Sequence, residues 1–129
     1  MKVYITCPVS HTSNRLNILP EIKSAVEEVG MLPFVFQIGG TPEEIFTRDY
    51  NELKSSQIII AEVSERSHGV GVELGFSYNL GLKRILLIEK GQFVSKLAQG
   101  IPDTTIIEYE SIVDLRPKLT EFLTKISGK

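Results

Sequence analysis

The chain has 129 residues, of which 42% are hydrophobic and 23% charged, so it can bury the core of one domain but has no room for a second. Its 14 basic and 16 acidic residues give a formal net charge of -2 without a basic run, which argues against a nucleic acid polymer as a partner. The single cysteine, Cys7, excludes an internal disulfide and is typical of a reducing compartment. We therefore expect one domain over residues 1–129.

The N-terminus enters an apolar strand pattern directly. Residues 1–5 carry neither the charged region nor the long apolar stretch of a signal peptide. No apolar run in the sequence reaches the length of a membrane helix. These observations predict a cytoplasmic protein without a membrane partner.

Five short apolar runs alternate with longer segments of helical period. The runs are rich in β-branched side chains and are bounded by turn residues, which predicts strands. In chain order the predicted strands span residues 3–6, 33–36, 58–61, 85–88 and 105–107.

The first two helices carry clear start and stop signals. Between the first two strands apolar residues recur at helical spacing, with Pro20 at a first helical position and Gly30 as the stop. The second helix is predicted to begin at Thr41, because Glu44 three residues on can complete a capping box, and to end near Ser55.

The remaining helices follow the third and fifth strands. The third follows the loop 64–69 and carries Val72, Phe76 and Leu80 on one face before Gly81 ends it. The last opens at Ser111, a favoured capping residue, and carries an apolar stripe.

Strands that alternate with helices through right-handed crossovers indicate an α/β fold. We expect a single-domain, doubly wound, mostly parallel five-stranded sheet of flavodoxin-like or Rossmann-like type, with strand order 2-1-3-4-5 and helices on both faces. Ligands of such sheets bind where the strand order reverses, here between strands 1 and 3. The loops 7–14 and 64–71 should therefore form the site.

The segment 67–75, SHGVGVELG, follows a strand and opens a helix, so its backbone amides can hold a phosphate or carboxylate. It is not the dinucleotide fingerprint, because Leu74 stands where the third glycine should follow Gly69 and Gly71. It is not a P-loop either, since no Gly-Lys-Ser/Thr follows. The alternative is a glycine-rich turn that lets the helix pack closely on the sheet.

Two carboxylates near this edge are candidates for chemistry. Glu73 is expected in the first turn of the third helix, where its simplest role is to complement the helix dipole, but the glycines beside it leave room for a substrate. Asp49 interrupts the apolar series of the second helix, which is costly unless the carboxylate is used or is paired, for example with Arg48. Glu62, at the end of the third strand, competes with both for a catalytic role.

Other polar side chains at the edge carry weaker signals. Tyr4 near the end of the first strand suits either a core position with its hydroxyl bonded to a partner or a catalytic role. Ser10 begins a loop of hydroxyl and amide donors that could hold sugar or phosphate. Cys7 is expected to be a small buried residue rather than a nucleophile. His11 and His68 have no metal-ligand spacing with each other or with Cys7, so we expect no metal and no cofactor.

Three segments carry a resemblance to a known family: DYNEL over residues 49–53, IIIAEV over 58–63 and SHGVGVELG over 67–75. Together they resemble the nucleoside 2-deoxyribosyltransferase superfamily, in particular its branch of 2'-deoxynucleoside 5'-phosphate N-hydrolases. The similarity runs from Val3 to Leu97, and the glycine-rich segment is its specific part.

The resemblance implies roles for the candidate residues. Glu73 matches the family nucleophile, Asp49 matches the acid that orients the sugar and assists the leaving base, and Tyr4 matches the hydroxyl that positions the nucleophile. The first loop departs from the hydrolase branch, which has a glycine-rich loop with an arginine where this chain has Cys7 to His11.

The resemblance also implies a substrate-binding set and an assembly. Ser67 with the amides around Gly69 and Gly71 matches the 5'-phosphate site, and Ser10 in the first loop is a further candidate. Ser95 matches a serine that reaches the phosphate bound by the neighbouring subunit, which implies a homodimer with shared active sites.

The implied activity agrees with the chemistry of the residues. Loss of a base from deoxyribose passes through an oxocarbenium-like state that a nearby carboxylate can stabilise or trap. The expected partner is a small deoxynucleoside or deoxynucleotide, cleaved through Glu73 with water or a second base as acceptor. The alternatives are a non-catalytic nucleotide- or flavin-binding module and an enzyme that cleaves NAD or a related ribonucleotide.

Overall fold

The computed structural model describes residues 1–9 and 16–128. Its centre is a sheet of five parallel strands in the order β2-β1-β3-β4-β5, which confirms the predicted order. The strands are β1 (Lys2–Thr6), β2 (Leu32–Val35), β3 (Ile58–Glu62), β4 (Lys83–Glu89) and β5 (Thr104–Tyr109). The strand order reverses between β1 and β3, which pair with Val3 opposite Ile58.

Five α-helices surround the sheet within the described residues. They are α1 (Leu19–Glu28), α2 (Pro42–Lys54), α3 (His68–Asn79), the short α4 (Lys96–Gln99) and α5 (Ile112–Ser127), with one 3₁₀ turn at Leu16–Ile18 before α1. None of the helices in these parts of the chain is long and apolar enough to cross a membrane.

Alternation along β1 divides the core into two layers. Val3 and Ile5 point toward α1 and α5 and belong to one buried cluster, whereas Tyr4 belongs to the cluster that packs with residues of α2 and α3. All five residues of β3 are buried, because helices cover both faces of the sheet. The direction of Tyr4 is what brings a hydroxyl to the side where α2 and α3 lie.

The start of α2 is fixed by the predicted capping box. Thr41 Oγ1 accepts a hydrogen bond from the Glu44 amide at 3.2 Å, and the Thr41 amide donates to Glu44 Oε1 at 3.0 Å. These bonds satisfy amides that would otherwise lack a partner at the helix start. The capping box therefore fixes the first turn of α2 directly after the loop 37–40.

The apolar face of α3 that the spacing indicates is not the face that is most buried. The buried residues of the helix are Val70, Leu74 and Ser77, whereas Val72 is 53% exposed. The helix carries apolar or glycine residues on nearly every side, so its hydrophobic period does not distinguish the face that packs on the sheet. The exposed side is consequently apolar, which matters for the site below.

Candidate active site

A cavity of about 440 Å³ opens at the carboxyl end of β1, beside the strand-order reversal. Its walls come from the end of β1, the loop after β2, one face of α2 and the first two turns of α3. This is the edge at which the sequence predicts a ligand, since helix starts and strand ends converge there. The cavity is mostly apolar, with a few polar side chains placed around it.

Glu73 lines this cavity from the second turn of α3, not from the first as predicted. The helix begins at His68 because Ser67 caps it, accepting a hydrogen bond from the Val70 amide at 3.3 Å. The favourable effect of a helix N-terminus on a carboxylate falls off within the first turn. Complementing the helix dipole therefore does not account for this glutamate.

Two hydroxyl groups of β1 hold the Glu73 carboxylate. The Tyr4 hydroxyl donates a hydrogen bond to Oε2, and Thr6 Oγ1 donates to Oε1 at 3.0 Å. Both donors are buried, and they share a face of the strand because they are two residues apart. Sequence reasoning missed Thr6, although its spacing from Tyr4 was the available signal.

The environment shifts the protonation of both partners. Burial raises the pKa of Glu73 to about 7, while the hydrogen bonds from Tyr4 and Thr6 act in the opposite direction and the charge of Asp49 adds to the rise. Burial and the neighbouring Glu73 also raise the pKa of the Tyr4 hydroxyl. Tyr4 therefore remains a hydrogen-bond donor at all ordinary pH values, and Glu73 exchanges its proton near neutrality.

Asp49 lines the same cavity from the middle of α2, with its side chain 14% exposed. Burial raises its pKa, and the adjacent Arg48, whose Nε donates to Oδ1 at 3.2 Å, counters the rise. The nearby Tyr4 hydroxyl also lowers the pKa of Asp49. The ion pair with Arg48 and a place in the cavity, which were alternatives for Asp49 in the sequence, are both present.

Three aromatic rings form one wall of the cavity, and sequence reasoning did not identify them as site residues. Phe46 and Tyr50 stack with ring centroids 5.5 Å apart, and Phe76 meets Tyr50 edge-on at 5.2 Å. Phe46 and Tyr50 lie four residues apart on α2, on either side of Asp49, which was the signal that could have found them. A flat apolar group can lie against this wall.

The candidate phosphate residues divide between two cavities. Ser67 and Gly69 line the first, whereas Gly71 lines a second cavity of about 760 Å³ that Ser67 and Ser95 also line. Gly69 and Gly71 both lie in the first turn of α3. The amide of Gly69 is among the leading amides that lack an acceptor within the helix, whereas the Gly71 amide donates to the Ser67 carbonyl oxygen at 3.1 Å. Ser95 caps α4, since its Oγ accepts from the Leu97 amide at 3.2 Å.

Other predicted positions lie apart from this arrangement or outside the described residues. Glu62 is fully buried, accepts hydrogen bonds from Ser64 and Tyr109, and does not line the first cavity. Cys7 is buried at the cavity, as expected for a small packing residue. Ser10 and His11 fall outside the described residues. Among residues 1–9 and 16–128, no three His, Cys, Asp or Glu side chains group as metal ligands.

Comparison with known proteins gives relatives that match the whole chain. A protein of Thermofilum pendens, named as a 2'-deoxynucleoside 5'-phosphate N-hydrolase, is 29% identical over 95% of each chain. The structure of the CMP N-glycosidase of Clostridium botulinum superposes with a TM-score of 0.77 and 20% identity, covering 95% of this chain and 99% of its own. These similarities support the nucleoside 2-deoxyribosyltransferase superfamily that the sequence motifs resemble.

A further superfamily structure has the same fold. The 2-deoxyribosyltransferase of Bacillus psychrosaccharolyticus matches 92% of this chain and 96% of its own, with a TM-score of 0.68 and 20% identity. No family model matches the chain. The relatives are enzymes. In this chain a cavity lies at the switch point of the sheet, and Glu73, Tyr4 and Asp49 come together there.

Proposed function

We propose that the protein cleaves the N-glycosidic bond of 2'-deoxynucleosides or 2'-deoxynucleoside 5'-monophosphates, with Glu73 as the attacking carboxylate. The observation that carries this proposal is the position of Glu73 at the cavity, oriented by Tyr4 and Thr6 and with a pKa near 7. A carboxylate that ionises near neutrality and is held by two fixed donors is suited to meet a developing positive charge. The names of the relatives support the same bond type.

In the first step a Glu73 carboxylate oxygen attacks the anomeric carbon of the sugar. As that carbon–oxygen bond forms, the bond from C1' to the base nitrogen breaks and its electron pair stays on the base. Asp49, protonated, gives the departing base a proton directly or through one water, and its raised pKa makes the protonated form accessible. The products are the neutral base and a glycosyl ester of Glu73.

In the second step the ester is released. Asp49, now ionised, takes a proton from a water molecule whose oxygen attacks C1', and the ester bond breaks to restore the Glu73 carboxylate. A second base in place of water gives transfer rather than hydrolysis. The net charge of the active site is the same before and after the cycle in either case.

The rest of the cavity suits the other parts of such a substrate. The wall of Phe46, Tyr50 and Phe76 offers a stacking surface for the base. The N-terminal end of α3, with Ser67 and Gly69 at the cavity, offers a hydroxyl and helix-end amides to a 5'-phosphate. The sugar then lies between them, with its anomeric carbon toward Glu73.

The test is a panel of deoxynucleosides and their 5'-monophosphates, each incubated with the enzyme and with or without an added free base. Chromatography should show a free base together with deoxyribose or its 5-phosphate, or a new nucleoside where an acceptor base is present. The matching ribonucleotides and NAD test whether the sugar must lack its 2'-hydroxyl. Tight binding of the nucleotides without any consumption, or a purified protein that carries flavin, would contradict the proposal in favour of a binding module.

We also propose a homodimer in which Ser95 of one subunit serves the site of the other. The second cavity is bordered by two strongly exposed apolar side chains, Phe93 at 94% and Leu97 at 84%, beside Ser95. A patch of this kind is more favourable when covered by a second protein surface. The apolar side of α3 around Gly71 continues the patch.

Subunit mixing tests this assembly. If Ser95 acts across the interface, mixing inactive Glu73→Gln subunits with impaired Ser95→Ala subunits should restore activity, because one site of each mixed dimer is then intact. If Ser95 acts within its own chain, each site keeps one lesion and mixing restores nothing. A monomer by light scattering that has full activity would also contradict the proposal.

A further inference from the structure

The guanidinium group of Arg48 donates three hydrogen bonds. Its Nε donates to Asp49 Oδ1 at 3.2 Å, its Nη1 to the carbonyl oxygen of Gly39 at 2.9 Å, and its Nη2 to the carbonyl oxygen of Gln37 at 2.6 Å. The planar fork of an arginine can satisfy acceptors in different directions at once, which a lysine ammonium on a flexible stem cannot reproduce. One side chain thus joins the carboxylate to the loop 37–40.

The loop that Arg48 holds is part of the cavity wall. Gln37 and Ile38 line the first cavity, and Gly40 has a φ of 122°, in the region that favours glycine. A side chain at Gly40 would also come within 3.4 Å of Glu44 and 3.9 Å of Arg48 Nη1. The loop therefore passes close to α2. The two hydrogen bonds that Arg48 donates to its carbonyl oxygens fix the position of the loop at the cavity.

We propose that Arg48 is a positioning residue that couples the loop 37–40, which covers the substrate, to the orientation of Asp49. The inference rests on the proposed function, since it assigns Arg48 to the acid of that reaction. When the loop closes over a base, the guanidinium is held by two carbonyls and holds Asp49 in turn. When the loop moves away, Asp49 loses a fixed partner, and proton transfer to the base becomes slower.

The other charged and titratable groups around Asp49 do not replace this contact. The Tyr4 hydroxyl on β1 donates its single hydrogen to Glu73. Glu73 on α3 and Glu52 on α2 both repel the negative charge of Asp49. Arg48 supplies the positive charge that acts on Asp49. Its loss should therefore alter the catalytic step and the covering of the substrate, rather than only the stability of the fold.

The test is a double-mutant cycle measured as kcat and KM on whichever substrate of the panel is cleaved best. Arg48→Gln should lower kcat roughly tenfold or more and raise KM several-fold, since it removes both the acid's partner and the loop's anchor. In an Asp49→Asn background the same substitution should lower kcat less than about threefold, because there is no acid left to position. The KM effect should persist in that background.

Two further variants separate positioning from general structural damage. Arg48→Lys keeps the charge but can contact either Asp49 or the loop carbonyls, so it should recover kcat or KM but not both. Arg116→Gln is the matched control: Arg116 also pairs with two carboxylates, Glu21 at 3.6 Å and Glu28 at 3.3 Å, but it lies on α5 at the opposite face of the sheet. It should leave kcat and KM unchanged.

The outcomes distinguish this inference from the proposed function. If Asp49→Asn lowers kcat but Arg48→Gln costs the same factor in both backgrounds, Arg48 does not act through Asp49 and the inference is wrong while the function stands. Full recovery of both parameters by Arg48→Lys would also overturn it, since charge alone would then suffice. If Asp49→Asn is as active as the wild type, the acid role in the proposed function fails, and the inference fails with it.

Discussion

The Tyr4 hydroxyl donates a hydrogen bond to Oε2 of Glu73 across 69 positions of sequence, joining the central part of the sheet to α3. Because Tyr4 is fully buried on β1 and Thr6 binds the other carboxylate oxygen, the carboxylate is held from the sheet rather than by its own helix. The direction of its lone pairs is therefore set before a substrate enters. This is the preorganisation that a nucleophilic carboxylate requires.

The first prediction concerns the pH dependence of the wild type. Since the proposed mechanism needs Glu73 ionised and Asp49 protonated, kcat/KM should have a bell-shaped pH profile, with one limb near pH 7 that reports Glu73. An ordinary glutamate would be ionised well below it. Measurement of kcat/KM from pH 5 to 9 checks this, and a profile that is flat between pH 5 and 8 would be inconsistent with Glu73 as the group that attacks.

Tyr4→Phe should move the limb that reports Glu73 to higher pH. The Tyr4 hydrogen bond lowers the pKa of Glu73 by stabilising its ionised form, so loss of the hydroxyl leaves the burial effect less opposed. We expect a shift of about one pH unit, the typical size of one hydrogen bond to a charged group. Thr6→Val should shift the limb in the same direction. An unchanged limb in Tyr4→Phe, at normal thermal stability, would show that the two groups do not interact in solution.

Glu73→Gln should stabilise the fold in a pH-dependent way. Burial raises the pKa of Glu73 from 4.5 to about 7, so the ionised group destabilises the folded state: the penalty is small below pH 4.5, grows as the pH rises, and is complete above pH 7. Replacement by a neutral isostere should gain roughly 1–3 kcal/mol at pH 8 and little at pH 4. Denaturant unfolding at both pH values measures the difference. A variant that is less stable than the wild type at pH 8 would contradict the assigned cause of the shift.

Phe46→Ala should weaken substrate binding more than it slows the chemical step. Phe46 is 54% exposed and stacks on Tyr50 at the cavity wall, so its loss should spare the fold while removing part of the stacking surface for the base. Loss of one base–aromatic contact typically costs about 1–3 kcal/mol, and we expect KM to rise accordingly with kcat within a few-fold. Val113→Ala, an exposed apolar residue on α5, is the control. Equal losses in kcat and KM for Phe46→Ala would argue against a base-stacking role.

The sequence predicted the sheet order and the principal helices because local signals and topology rules agree there. The capping residues Thr41 and Ser111 start their helices as expected. The convergence of Glu73, Tyr4 and Asp49 was predicted from the family resemblance together with the position of their elements around the strand-order reversal. These features depend on strand and helix order, which the hydrophobic pattern records.

Other parts of the site depend on side-chain directions that the pattern does not record. The start of α3 at His68 placed Glu73 one turn deeper in the helix than predicted, because Ser67 rather than a glycine ends the loop. The hydrogen bonds of the Arg48 guanidinium depend on the position of the loop 37–40, which contains a glycine at positive φ. The short helix α4 lacks a long periodic stretch, so it was not predicted at all.

The central claim is that Glu73 attacks the sugar, and single-turnover cleavage of a deoxynucleoside monophosphate by wild type and Glu73→Gln tests it most directly. Glutamine keeps the shape and an acceptor oxygen, so the variant should bind substrate with similar affinity. Its cleavage rate should fall by roughly a thousandfold or more, equivalent to about 4 kcal/mol of barrier. A Glu73→Gln protein that binds the nucleotide and cleaves it within a few-fold of the wild-type rate would contradict the claim.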